Sequence, residues 1–303
     1  MEKSRFHGWS QRMPSARWAY VNGQFLPHAI AGVHIEDRGL QFADAVYEVC
    51  AISDQRLMDE EEHLDRLERS LRELDIPMPM ARAPLKMVYR ELVRRNGLRN
   101  GILYLQVTRG IARRDHAAPS GLRPTLILTA RPVNPAVLAG RRQSGVIAIS
   151  HPDERWARCD IKSTALLPNT LAKTAARRQG AFEAILVDDE GYVTEGASTN
   201  VWIVTKEGEI ITRDLSHDIL PGVTRRVIMD AAAEAQMRIT ERRFTLQEAK
   251  SAQEIFLTAA TLGATAVVEL DGSPVGNRRP GKISQRIQWL YAELAWCRAS
   301  PPA

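Results

Sequence analysis

Lys162 lies in the stretch RCDIKSTALLPNTLAK, residues 158–173, between Ile161 and Ser163 and just ahead of Ala165, Leu166, Leu167 and Pro168. Of the 41 lysines and arginines in the chain only seven are lysines, so one set among residues that read as interior asks for a reason. A buried ammonium is costly and gives up its proton readily. The neutral amine that results attacks carbonyl carbon, which is the Schiff-base chemistry used with aldehyde cofactors such as pyridoxal phosphate. The alternative is a lysine whose stem covers the leucines while its charge reaches water.

An aldehyde cofactor of that kind needs a phosphate site and an acid facing its ring nitrogen. In ILPGVTRRVIMDAAAEA, Pro221 and Gly222 break the chain, and Val223 and Thr224 open a helix with free amides and a hydroxyl, a fit for an anion. In EGYVTEGASTNVW, Glu195 sits in a corner rich in Gly, Ser and Thr between two strands, where a carboxylate can keep a pyridine nitrogen protonated. Taken one at a time, these segments also read as an ordinary helix start and a turn carboxylate.

The elements that must hold these residues follow from periodicity. Two short apolar runs about Asn22-Gly23 predict a hairpin, and AVYEVCAI (45–52) predicts a strand. A helix is expected from an N-cap at Asp59, with Leu64, Leu67, Leu71 and Leu74 along one stripe and Pro77 beyond its end. A second runs from Pro84 to Asn96-Gly97. ILYLQVTRG, TLILTA, VIAIS, AILV, NVWIV, EIIT and IFLTA read as strands, and 169–179, 222–237 and 281–296 as helices. The stretch 131–145, with two prolines and two glycines, is the expected domain boundary. The expectation is an α/β (α+β) chain with a tail over 1–16, a smaller α/β domain over 17–135 and a larger strand-rich domain over 136–303.

Bulk properties narrow the function. The net charge of +5 is spread over alternating acids and bases, and aromatics are 6% and scattered, which speaks against a nucleic-acid surface. Cys50, Cys159 and Cys297 are far apart, which argues against a disulfide framework or a zinc site and for a reducing compartment. The polar N-terminus carries no secretory signal, and no stretch approaches the roughly 18 apolar residues of a membrane span. A cytoplasmic protein without a metal is expected.

Taken in order, EDRGLQFADAVYEV, HLDRL, LQVTRG, CDIKSTALLPNTLAK, AFEAILVDDEGYVTEGASTNVW and ILPGVTRRVI resemble the fold-type IV pyridoxal-phosphate aminotransferases, from about Tyr20 to about Leu294. The likeness is to the branch that acts on D-amino acids. It implies that Lys162 forms the Schiff base with the cofactor and shuttles the proton, and that Glu195 pairs with the pyridine nitrogen. It further implies that Arg66 binds the phosphate with Val223, Thr224, Ala260 and Thr261. In TRGIARRDHAAP, Arg114 and His116 match an Arg-x-His pair that grips the substrate carboxylate, helped by Tyr47. Relatives that use branched-chain L-amino acids, aminodeoxychorismate or (R)-amines generally lack that pair. The resemblance also implies a homodimer with shared active sites. One departure is Ala43-Asp44-Ala45, where the family often has Gly-Asp-Gly; the added methyl groups predict that neither position needs a positive φ.

Overall fold

Alternating burial along β-branched and aromatic strands builds the first of two sheets. The computed structural model describes residues 17–299, so the expected tail over 1–16 lies outside the described residues. Strands β1 (Trp18–Val21), β2 (Gln24–Pro27), β3 (Ala45–Ser53), β4 (Arg56–Leu57), β5 (Gly101–Thr108) and β6 (Thr125–Pro132) form a sheet in the order β2-β1-β6-β5-β3-β4. A short helix α1 (Arg38–Phe42) precedes β3. Helices α2 (Glu60–Glu73) and α3 (Arg82–Arg95) cover the sheet. Leu64, Leu67 and Leu71 of α2 are buried in its core, each worth about 1.5–3 kcal/mol relative to exposure.

The second sheet holds β7 (Val146–Pro152), β8 (Glu183–Val187), β9 (Val193–Gly196), β10 (Asn200–Val204), β11 (Ile210–Thr212), β12 (Ile239–Glu241), β13 (Glu254–Ala259), β14 (Gly263–Leu270) and the short β15 (Ser273–Pro274). Its path is β12-β11-β10-β13-β14-β7-β8-β9, with β15 on β14. Helices α4 (Pro135–Ser144), α5 (Leu167–Arg178), α6 (Val223–Glu234), α7 (Leu246–Ser251) and α8 (Lys282–Arg298) complete the fold. The segment between β7 and α5 leaves the second sheet and returns to the first: Ile161 joins the first core, and Ser163 bridges to Val46 of β3. That excursion carries Lys162.

Some expectations are corrected. Asp59 is not a side-chain N-cap: it lies at φ 53° with no capping bond, and its buried carboxylate instead accepts from the Tyr291 hydroxyl at 3.1 Å. Leu74 stands just past the end of α2. The boundary stretch is largely helix α4, started by Asn134, whose side chain accepts from Ala136 N, and by Pro135 in the first turn. The second helix begins at Arg82 rather than Pro84. Strand β14 escapes a reading by period because its glycine and two alanines dilute the pattern of GATAVVEL, yet it pairs with β7 and β13 in mid-sheet.

Candidate active site

A cavity of about 250 Å³ draws its wall from both sheets. Lys162 reaches it because its peptide is laid against the start of β3: Tyr47 N donates to Lys162 O at 2.9 Å, and Thr164 N donates to Ala45 O at 3.0 Å. The lysine is partly buried, with Nζ 4.2 Å from the centre of the Tyr47 ring. That ring stacks in turn on Tyr104 at 5.7 Å. Among the described residues Lys162 has no carboxylate partner within 4.0 Å. Lys173 does: it pairs with buried Glu183 at 2.9 Å.

Glu195 is buried on the cavity lining and lies within strand β9 itself, not in the expected corner between strands. Leu220 N donates to both carboxylate oxygens at 3.2 Å, Asn200 Nδ2 donates to Oε2 at 3.0 Å, and Arg155 pairs with Oε1. Arg155 is shared, because Asp153 accepts from its Nε at 2.8 Å and its Nη2 at 2.7 Å. Burial pushes the Glu195 carboxyl up to about 7, against the pull of Arg155, the Leu220 amide and Lys162. A cation brought into the cavity beside it would restore the charged form.

Another part of the cavity lining has the chemistry to suit an anion. Arg66 is buried on α2, with Nε and Nη2 donating to Glu48 Oε1 and Oε2 at 2.8 Å each, and Nη1 donating to Pro221 O at 3.1 Å. His63 Nδ1 lies 2.7 Å from the same carboxylate. Burial acts to raise the Glu48 carboxyl, but Arg66 and then His63 outweigh it and hold it below the ordinary carboxylate range. Helix α6 opens on this wall at Val223, and its N-cap, Gly222, offers no side chain to its first amides. The buried Thr224 hydroxyl finds no hydrogen-bond partner within 3.5 Å. Ala260 and Thr261, in the turn between β13 and β14, line the cavity too.

These features fit pyridoxal 5'-phosphate. Uncapped amides, a buried hydroxyl and a preset guanidinium suit a phosphate, a buried carboxylate suits a pyridinium, and a lysine without a carboxylate partner suits an aldehyde. Lys162, Glu195, Arg66, Val223, Thr224, Ala260, Thr261 and Tyr47 all line this one cavity.

Arg114 and His116 do not. They lie outside this cavity, on the loop after β5, around the Phe42 ring: the Arg114 guanidinium is 4.8 Å from its centre and the His116 ring 5.6 Å. Phe42 ends α1, and the next residue corrects an expectation. Ala43 has φ 55°, closing α1 in the left-handed region and donating its N–H to Arg38 O. Its methyl group therefore carries a conformational cost that glycine would avoid.

Sequence reasoning missed Glu48, His63, Asp153, Arg155 and Asn200. Only Glu48 left a signal: a carboxylate on the inward face of an apolar strand needs a buried partner. Arg155 looks like one more arginine of a polar loop, because its partner Glu195 is forty residues on.

Comparison with known proteins agrees with this geometry. The profile of the class IV amino-transferase family matches residues 45–270. The D-alanine aminotransferase of Bacillus licheniformis is 40% identical over 267 residues, covering 88% of this chain and 93% of that protein. The crystal structure of the Escherichia coli branched-chain amino acid aminotransferase superposes with a TM-score of 0.86 at 24% identity, covering 95% of this chain and 100% of that one. The PLP-bound form of a hypothetical aminotransferase from Mycobacterium tuberculosis gives 0.80 at 24% identity, covering 93% and 99%. A cavity lined by a lysine, a buried acid and an open helix start beside a buried arginine, on a chain matched over most of its length, leads to one conclusion: this chain belongs to the class IV aminotransferases, enzymes that depend on pyridoxal 5'-phosphate.

Proposed function

We propose that this chain is a D-amino-acid transaminase, moving the amino group of a D-amino acid such as D-alanine to a 2-oxo acid such as 2-oxoglutarate by a ping-pong mechanism. The observation that carries the choice of substrate is the pair Arg114 and His116, a guanidinium and an imidazole on one exposed loop, suited to a carboxylate. The identity with a D-alanine aminotransferase supports the same choice. A branched-chain L-amino-acid transaminase is the second reading, favoured by the solved structures, but their 23–26% identity is well below the 40% shared with the D-alanine aminotransferase.

Bound cofactor supplies an aldehyde and a ring that accepts the electron pair left when a proton departs the α-carbon of the amino acid. Arg66, the first amides of α6, Thr224 and the Ala260–Thr261 turn hold the phosphate end. Glu195 keeps a proton at the ring nitrogen, its own charge secured by Leu220 N and Asn200. Lys162 Nζ would take the α-proton and deliver it to the former aldehyde carbon, two bonds away. Tyr47, whose ring lies 4.2 Å from Lys162 Nζ on the cavity lining, would help hold the substrate carboxylate. Water enters at Lys162 to release the 2-oxo acid, and a second 2-oxo acid reverses the sequence.

The working unit is a homodimer in which the loop 111–118 completes the neighbouring site. Ile35, Leu40 and Ile111, exposed at 78%, 66% and 46% beside that loop, support a second copy covering this surface. The free Cys50, Cys159 and Cys297 support a cytoplasmic location.

D-Alanine should outrun a neutral (R)-amine, and Arg114→Ala should remove most of the preference by weakening amino-acid binding roughly 2–4 kcal/mol while sparing the cofactor spectrum. Mixing inactive Lys162→Ala subunits with Arg114→Ala subunits tests the shared site. A loop acting across the dimer gathers both lesions in one site and leaves the other intact, so activity returns. Verified heterodimers that stay inactive refute the exchange, and an (R)-amine turned over as fast as D-alanine refutes the substrate class.

A further inference from the structure

Helix α1 has five residues, too few to be stable alone, yet it is pinned at both ends. Asp37 accepts from Gly39 N at 2.8 Å, and Ala43 closes the other end with its left-handed turn. Gly39 lets the helix lie flush on β5, since a Cβ there would stand 2.4 Å from Thr108 Cγ2. What this platform presents is not core. Arg38 is buried, with Nε donating to Asp44 at 2.8 Å. Its other two nitrogens donate to consecutive carbonyls of the loop, Nη1 to Asp115 O at 2.7 Å and Nη2 to His116 O at 3.0 Å. Asp44 also accepts from Arg109, at the root of that loop, at 2.8 Å. Phe42 then offers its ring to Arg38 and Arg114, each 4.8 Å from the centre, and to His116. Apart from the ring, Arg114 has among the described residues one long contact, to Gln41 Oε1 at 3.5 Å.

We propose that Arg38 and Phe42 are positioning residues for substrate recognition. Arg38 fixes the backbone of loop 111–118, and Phe42 holds the Arg114 and His116 side chains in the orientation that meets a carboxylate. This rests on the reading of Arg114 and His116 as the carboxylate clamp. An arginine is an extended side chain with many rotamers, and a ring face that limits them lowers the ordering cost met when substrate binds. The effect belongs to binding, because neither residue lines the cavity that holds Lys162.

The test compares Phe42→Leu, Phe42→Tyr, Arg38→Gln and Arg114→Ala in the holoenzyme. Binding of 2-aminoisobutyrate, which has a carboxylate but no α-hydrogen, is measured by calorimetry beside KM and kcat for D-alanine. Phe42→Leu and Arg38→Gln are expected to raise KM and the dissociation constant about tenfold with kcat held within about twofold, and Phe42→Tyr, which keeps the ring, to stay near wild type. Phe42 is only partly buried, so Phe42→Leu keeps the fold, checked by an unchanged melting curve and cofactor absorption. If Arg114→Ala weakens binding while Phe42→Leu and Arg38→Gln do not, the positioning role is wrong and the clamp survives. If Arg114→Ala itself leaves binding unchanged, the clamp is wrong and the positioning role falls with it. A loss in Phe42→Leu that appears in kcat alone also overturns the proposal.

Discussion

Lys162→Ala is expected to cut turnover by roughly four orders of magnitude or more, because it removes both the amine that engages the aldehyde and the base that moves the α-proton. The structure separates Lys162 from its rival. Lys173 is committed to Glu183 at 2.9 Å and to Ser198 at 3.3 Å, so its amine is already occupied. Lys162 has no such partner and stands over the Tyr47 ring at the cavity wall. Borohydride should therefore fix the cofactor to Lys162 in the wild type, with mass spectrometry locating the reduced adduct there. Lys173→Ala should remain yellow. An adduct on Lys173, or substantial turnover by Lys162→Ala, would remove the basis for the assigned site.

Glu195→Gln should lower turnover about 100-fold, close to 3 kcal/mol of barrier. The amide keeps the shape of the carboxylate and its bond to Leu220 N, but loses the charge that keeps the ring nitrogen protonated. Cofactor should stay bound through Arg66 and the start of α6, so the loss belongs to kcat. A second readout follows from linkage in protein stripped of cofactor. With the folded carboxyl pushed up to about 7 from an ordinary 4.5, the folded state binds its proton more tightly than the unfolded chain. Glu195 then costs stability as pH rises from about 4.5 to about 7, and Glu195→Gln removes that contribution. Melting temperatures across this window, with and without the substitution, measure it. Near-normal turnover in Glu195→Gln would mean another residue faces the ring.

How far this site can be read from sequence depends on whether the chemistry is local. Lys162 stands out because a lysine among apolar neighbours breaks a pattern within five residues. Val223 and Thr224 do so because Pro221 and Gly222 mark a helix start. Arg66 reads as one more helix arginine until the resemblance gives it a phosphate, since its fixing partner Glu48 comes from another strand. Arg155 and Asp153 were invisible for the same reason: their meaning is a packing event between the end of β7 and β9. Most strands and the long helices followed from period; β9, β12, α1 and α7 are too short to show one, and β14 and α4 were lost where alanine and glycine blur it. Ala43 shows local propensity overruled. An alanine argues against a positive φ, yet the turn from α1 into β3 requires one, and the packing around it meets the cost.

The central claim is that this cavity takes the α-proton of a D-amino acid through Lys162. The most direct measurement is the single half-reaction: mix the yellow holoenzyme with one amino acid, without any 2-oxo acid, and follow loss of the cofactor's visible absorption in a stopped-flow instrument. In the proposed site, where Arg114, His116 and Tyr47 fix the carboxylate, only one hand of substrate would direct its α-hydrogen at Lys162. D-Alanine should bleach the absorption at least about 100-fold faster than L-leucine or L-alanine, a difference near 3 kcal/mol in the competing transition states. Equal rates for the two hands, or bleaching by L-leucine alone, would contradict it.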